Sequence, residues 1–163
     1  MALTGAACRD KQNQVTSPNE TDAGFSAVIV RMNDPRASAQ LLSGFYAIEN
    51  NAWRWTAGKF SVLLRAPPAA AQSGATLTLK FAVPEAAIQK LGAVTLTASI
   101  NGVALQSTRY DDAAAYTFTA DVPPSMLTAE SVKIDFALDK SFHADGDVRE
   151  LGIIAASAGL TDK

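Results

Sequence analysis

The sequence predicts an all-β chain, a two-sheet antiparallel β-sandwich of the jelly-roll kind with one short helix. Three observations carry that reading. Apolar and polar residues alternate with a period of two through most of the chain after Phe25, the pattern of strands with one dry and one wet face. The alternating runs are short and are divided by turn residues. Helical character is confined to one segment.

Taken in order, "FSAVIVRM" (25–32), "GFYAIE" (44–49), "AWRWT" (52–56) and "KFSVLLRA" (59–66) are rich in β-branched and aromatic residues between turn signals. Pro67-Pro68 and the following "AAAQSG" read as a surface loop. In "ATLTLKFAV", Leu77, Leu79 and Phe81 share one face, and Thr76, Thr78 and Lys80 the other. "PEAAIQKLG" (84–92) opens on proline, places acid early and lysine late, and closes on glycine, as a short helix does. In "AVTLTASING", Val94, Leu96, Ala98 and Ile100 alternate with threonine and serine before Asn101-Gly102. That dipeptide predicts a two-residue hairpin, because both central positions of a type I′ turn need positive φ. "VALQSTRY" (103–110) and "AYTFTAD" (115–121) come next, then a turn with a short helical piece in "PPSMLTAE". "SVKIDFALDK" alternates again, and "RELGIIAASAGL" (149–160) is apolar enough for a central final strand buried on both faces.

With 163 residues, 48% apolar and 18% charged, the chain is globular and sized for one domain. A net charge of −2 and scattered lysines and arginines give no electrostatic footprint for nucleic acid. Residues 1–23 read as a polar N-terminal tether, and 24–163 as the sandwich. "LTGAAC" followed by a polar stretch resembles the acylation junction of a bacterial lipoprotein, with Cys8 as the lipidated residue. Only seven residues precede Cys8 and Gly5 stands where leucine is usual, so an ordinary terminus is the competing reading. A lone cysteine and a lone histidine, His143, leave little for a zinc site.

Two constellations carry chemistry. The first is Glu49, Trp53, Arg54 and Trp55. On a strand the two indoles share one face and Arg54 takes the other. Indoles stack on the apolar faces of sugar rings while arginine and glutamate bond hydroxyls. The competing reading packs at least one tryptophan into the core and leaves Arg54 outside against Glu49. The second is "DKSFHADGDVRELG" (139–152). Its aspartates would serve calcium, but the spacing is not that of an EF-hand loop, and pairing of Asp147 with Arg149 is the stronger expectation. No nucleophile elbow or phosphate loop is present. A glycosidase pair drawn from Glu49, Asp147 and Glu150 cannot be placed by spacing. The expectation is therefore a protein that is not an enzyme, holding no cofactor and no metal.

The segment with Gly44, Phe45, Tyr46, Glu49, Trp53, Arg54 and Trp55, together with the later Asp147, Arg149, Leu151 and Gly152, resembles the β-sandwich domain associated with bacterial glycosyltransferases and stand-alone envelope proteins. The resemblance spans roughly residues 25–160. It implies a galactose-binding-like or carbohydrate-module-like sandwich without an active site of its own. Carbohydrate, a separate glycosyltransferase or an envelope protein become the expected partners. The cell envelope, or secretion, becomes the expected location, with the cytoplasm as alternative. The function this implies is glycan binding or support of surface polysaccharide assembly; a structural or protein-interaction module is the alternative, and a glycoside-active enzyme comes third. The ligand-binding set is Glu49, Trp53, Arg54, Trp55, Asp147 and Arg149, with Arg54 expected near Glu49 or Asp147, and Arg149 near Glu49.

Overall fold

The computed structural model describes residues 27–163. The expected tether and Cys8 lie outside the described residues. Nine strands run in order: β1 (Ile29–Arg31), β2 (Leu41–Glu49), β3 (Trp53–Arg65), β4 (Ala75–Val83), β5 (Val94–Ile100), β6 (Val103–Tyr110), β7 (Ala114–Val122), β8 (Ser131–Leu138) and β9 (Ile154–Asp162).

They form two antiparallel layers that share one strand. In the first layer the order is β6-β5-β8-β3-β2. The second runs β7-β4-β9, and the far edge of β9 is shared. β1 pairs with one end of it, from Ile29 opposite Gly159 to Arg31 opposite Ser157. The start of β3 pairs with the other end, Arg54 opposite Ala155 and Trp55 opposite Ile154. β3 is 13 residues long, and its later half pairs with β8 instead, from Lys59 opposite Ala137 to Arg65 opposite Ser131. It therefore crosses from one sheet to the other, the corner of a jelly roll.

The alternation read from the sequence fixes which side is dry. Leu77, Leu79 and Phe81 of β4, Leu96, Ala98 and Ile100 of β5, and Ile134 and Phe136 of β8 are all buried. Phe60 stacks on Phe136 within the first layer at 5.1 Å between centroids. Phe118 of the second layer meets Phe136 edge-on at 6.4 Å, so one ring joins both sheets. The outer positions of β4 and β7 carry Thr76, Thr78, Lys80, Thr117, Thr119 and Asp121.

Most local expectations hold. Asn101 and Gly102 have φ of 51° and 81° between the paired Ile100 and Val103, the expected tight hairpin. The predicted helix is α2 (Glu85–Leu91), and the proline-led turn is a 3-10 helix at Pro124–Met126.

Several boundaries differ. "AWRWT" and "KFSVLLRA" are one strand, because Ala57-Gly58 continues extended where glycine had suggested a break. The Ala-rich stretch after Pro67-Pro68 makes a helical turn, α1 (Ala70–Ser73), since burying Ala70 rewards local compaction. Pro35–Ala39 forms a 3-10 turn capped by Asp34, whose carboxylate accepts from the Arg36 amide at 2.9 Å. The final strand begins at Ile154, not at Arg149. It is central, paired on both edges, but its outer face is open: Ala156 and Thr161 are exposed.

Phe136→Ala is expected to lower unfolding free energy by about 3–5 kcal/mol, the range for deleting a fully buried aromatic. Val103→Ala, at a half-exposed site, should stay within about 0.5 kcal/mol. Urea titration followed by tryptophan fluorescence compares the two, and equal effects would contradict Phe136 as the joint between layers.

Candidate functional site

β2 and β3 meet in a hairpin through Asn50, Asn51 and Ala52, both asparagines at positive φ (56° and 53°), with Glu49 paired to Trp53. From there parity assigns the faces. Even residues of β3, from Arg54 through Thr56, Phe60, Val62 and Leu64, are buried; odd residues Trp53 and Trp55 are half-buried on the outer side. Both indoles thus stand on the opposite side of the strand from the buried arginine, with Trp55 half-buried and packed against the core cluster. This reverses the competing expectation of an outward Arg54.

Arg54 is 8% exposed. Its Nε donates to the Met32 carbonyl at 2.9 Å and its Nη1 to the Tyr46 carbonyl at 3.3 Å. Burial lowers its pKa from the ordinary arginine value. Among the described residues it makes no ion pair with Glu49 or Asp147, contrary to the expected pairing. The reason is parity: Glu49 lies beside Trp53 on the outer side, whereas Arg54 sits inside, where backbone carbonyls near the sheet crossing need donors.

The second block builds a closed excursion over the outer face. Phe142 and Leu151 exchange backbone hydrogen bonds of 2.9 and 2.7 Å, pinching the loop shut. Within it Arg149 reaches two acids. Its Nη1 donates to Glu49 Oε2 at 2.9 Å, and its Nη2 to Asp147 Oδ2 at 2.7 Å. Asp147 also accepts from the Arg149 amide at 2.9 Å. The guanidinium lies 5.2 Å from the centre of the Tyr46 ring, and Tyr46 Oη donates to the Glu150 carbonyl at 2.7 Å. The expected Arg149–Glu49 and Arg149–Asp147 contacts are present. Tyr46, read from sequence as an ordinary strand residue, is the surface on which they assemble.

This cluster is a strap. Bidentate pairing and the backbone amide hold Asp147 well below its ordinary 3.8, at about 2, while both acids raise Arg149. Phe142, carried on the same loop, meets Trp55 edge-on at 6.0 Å and covers it. The other aspartates diverge. Asp139 Oδ1 accepts from the Thr95 amide at 2.8 Å, and Asp145 meets Lys90 at 3.4 Å. Among the described residues no group of three or more His, Cys, Asp or Glu is placed to hold a metal. His143 Nδ1 sits 2.8 Å from the Arg149 carbonyl.

Two glycines of the resemblance motif have steric reasons. Gly44 has φ of 79°, and a side chain there would collide with the Lys59 carbonyl and the Phe60 backbone. At Gly152 a Cβ would lie 2.6 Å from both the Ala57 carbonyl and a Leu138 methyl.

Trp53 remains uncovered by the loop and stands at the end of a groove of about 400 Å³ on the outer face of the second layer. Ala82, Ala115 and Ile154 give it apolar surface, and Lys80 and Thr117 supply polar groups. The Trp53 Nε1–H is buried without a partner among the described residues, so the indole offers its ring and not its nitrogen. Of the sequence-predicted set, only Trp53 lines this groove. Lys80, Thr117 and Ile154 were missed, although the lysine on an otherwise threonine face of "ATLTLKFAV" was a visible irregularity.

No protein-family model matches the chain, and no curated protein matches it. Among solved structures it is similar to carbohydrate-binding modules and to an exo-galactanase. The CBM51-2 and INT domains of Clostridium perfringens ZmpB, in complex with GlcNAc, match at 13% identity over 84% of this chain and 28% of that one, TM-score 0.42. The CBM36-1 domain of a multidomain xylanase from the hindgut metagenome of Trinervitermes trinervoides matches at 14% over 80% and 94%, TM-score 0.42. An exo-β-1,3-galactanase of Phanerochaete chrysosporium, with β-1,3-galactotriose, matches at 10% over 83% and 29%, TM-score 0.44. The chain spans less than a third of the length of the first and last of these. No residue role is carried over from them.

The polar contacts set two expectations. Because Asp147 has a folded pKa below its ordinary value, its stabilising effect is complete above about pH 4 and is lost as pH falls toward about 2. Asp147→Asn should be less stable than wild type at pH 7 and converge with it across that window, read by denaturant titration at a series of pH values. Arg54→Ala should cost about 2–3 kcal/mol, because two carbonyls lose a charged donor inside the fold. A cost near zero would mean that water replaces the guanidinium.

Proposed function

We propose that this domain is a non-catalytic carbohydrate-binding module of the cell envelope, holding a stretch of polysaccharide across the outer face of its second layer. The observation that carries the reading is the groove beside Trp53, which combines an indole, a small-residue floor, a hydroxyl and an ammonium in one shallow trough. Sugar rings present C–H faces and hydroxyl rims, and are recognised by this combination of apolar surface and sparse polar groups. An open trough covers only part of a ligand, so single-site affinity is weak and a longer chain binds better than a monosaccharide.

Three features support the non-catalytic part. Among the described residues no carboxylate lines the groove, whereas glycoside hydrolysis needs two across the scissile bond. Glu49 and Asp147 are committed to Arg149. Glu150 Oε2 accepts from the Gly58 amide at 3.2 Å. Envelope placement, and work beside a separate glycosyltransferase or envelope protein, rest on the sequence resemblance and the polar stretch after Cys8. No helix of the described residues is long and apolar enough to cross a membrane.

The strap favours a second role for the other motif residues. Arg54, Trp55, Asp147 and Arg149 are satisfied within the protein, so they stabilise the sandwich and do not face ligand.

Trp53→Ala is expected to weaken retention on a glycan array by about tenfold or more, the loss of one stacking contact plus its covered area, while the melting temperature stays within a few degrees. Trp55→Ala should instead destabilise the fold through its lost contact with Phe142. Full retention by a folded Trp53→Ala variant would overturn the assignment.

A further inference from the structure

We infer that the polysaccharide this face takes is anionic, a chain bearing carboxylates such as a polyuronate. The inference rests on the carbohydrate reading and adds the chemical class of the ligand.

The groove beside Trp53 does not end at Lys80. That residue also lines a second depression, of about 250 Å³, with Arg31, Thr78, Ser157 and Thr161. The two together make one trough running along β9 and β4 from the indole to the exposed Ile29 on β1. Arg31 and Lys80 are both exposed. Among the described residues neither side chain makes an ion pair or a hydrogen bond, and no carboxylate lines either depression.

Acids do occur at the ends of this face, and both are occupied. Asp121 meets Lys163 at 3.6 Å, and Glu49 meets Arg149 at 2.9 Å. Most cations elsewhere are paired. Arg36, Arg65, Lys90, Arg109, Lys133, Arg149 and Lys163 have a carboxylate within salt-bridge distance. Arg54 and Lys140 donate to backbone carbonyls, and among the described residues Lys59 on β3 is the one further cation without either. In a chain of net charge −2, two cations left without acids on a hydroxyl-lined trough make a local positive surface of the sign a carboxylate seeks.

The spacing of functions suits a uronate chain. A ring lies on Trp53 over the Ala82 and Ile154 floor, and a carboxylate seats over Ser157, flanked by Lys80 of β4 and Arg31 of β1, which both stand opposite that serine. Thr78 and Thr161, farther along β4 and β9, supply hydroxyls for the following ring. Two cations are too few for a nucleic-acid backbone, whose binding draws on many phosphate contacts.

The test uses the full chain in affinity electrophoresis with polygalacturonate, alginate and hyaluronate, each beside its carboxyl-reduced neutral form. Retention of at least one acidic polymer, about tenfold stronger than its reduced form and weakened between about 50 and 500 mM salt, is expected. Lys80→Gln and Arg31→Gln should each lower retention of the acidic polymer several-fold, and by a clearly larger factor than they lower that of its reduced form, without changing the melting temperature. Trp53→Ala should lower both. Equal retention of acidic and reduced forms overturns the anionic inference and leaves the carbohydrate reading standing, as does retention of neutral glycans alone. No retention of any polysaccharide overturns both. Equal retention of oligothymidylate assigns the trough to nucleic acid and overturns this inference.

Discussion

One strand serves both layers of this sandwich, and its parity decides which side chains enter the core and which meet solvent. β3 keeps its even residues inward for its whole length while its partner on one edge changes from β9 to β8. At the early end, near the crossing, the inward residue is Arg54, with carbonyls of Met32 and Tyr46 close by. An apolar residue at that position would leave both carbonyls without this donor. The guanidinium, with its fork of donors on a long apolar stem, reaches both from one position. The requirement for two outward indoles comes from the same alternation, since Trp53 and Trp55 flank that arginine.

Those two indoles meet different fates because of the charged loop. The loop is held by Arg149, which is neither deeply buried nor free: its side chain is 31% exposed. A single exposed ion pair is worth little, but bidentate contact with Asp147, a second acid from β2 and the face of Tyr46 act on one group. Asp147 and Arg149 stand two residues apart, so their contact orders the loop itself. Glu49 stands 100 residues away, so its contact docks the loop onto the sheet. Phe142 rides on that docking and closes Trp55, while the opposite side of Trp53 remains open to the groove.

The alternating strands were legible because a half-dry sheet enforces period two residue by residue; β4, β5 and β8 could be read almost to their ends. The Asn101-Gly102 turn was legible because its conformation is chemically restricted. What could not be read was absolute orientation. "WRW" says that arginine opposes the indoles, yet composition favours tryptophan inside, and the answer depends on where β3 crosses between layers. The same holds for the site. Glu49, Asp147 and Arg149 were recognisable as partners by charge, but their closure into a structural strap depends on the Phe142–Leu151 bridge. Lys80 and Arg31 were invisible as a pair, since β1 and β4 lie far apart in sequence and are brought together only through β9.

A sandwich gains stability from its inner faces and leaves its outer faces free to vary, so a cluster of unneutralised charge outside is informative where buried charge is not. The buried Arg54 is explained by backbone carbonyls, and the half-buried Arg149 by two acids and a ring. Arg31 and Lys80 have no such internal account. A bulge strengthens the point: β9 shifts register by one residue between Lys80 and Phe81, leaving Ala156 exposed and placing Ser157 opposite Lys80. Bulges bend a strand and re-aim its side chains, and here the irregularity lies between the indole and the arginine. Below it Ala155 stays in the core with Phe81; above it Ser157 stands between Lys80 and Arg31, with Thr78 and Thr161 farther along. The bend thus divides one continuous outer surface into an aromatic end and a cationic end without disturbing the core beneath, the division that the proposed binding of ring and carboxylate requires.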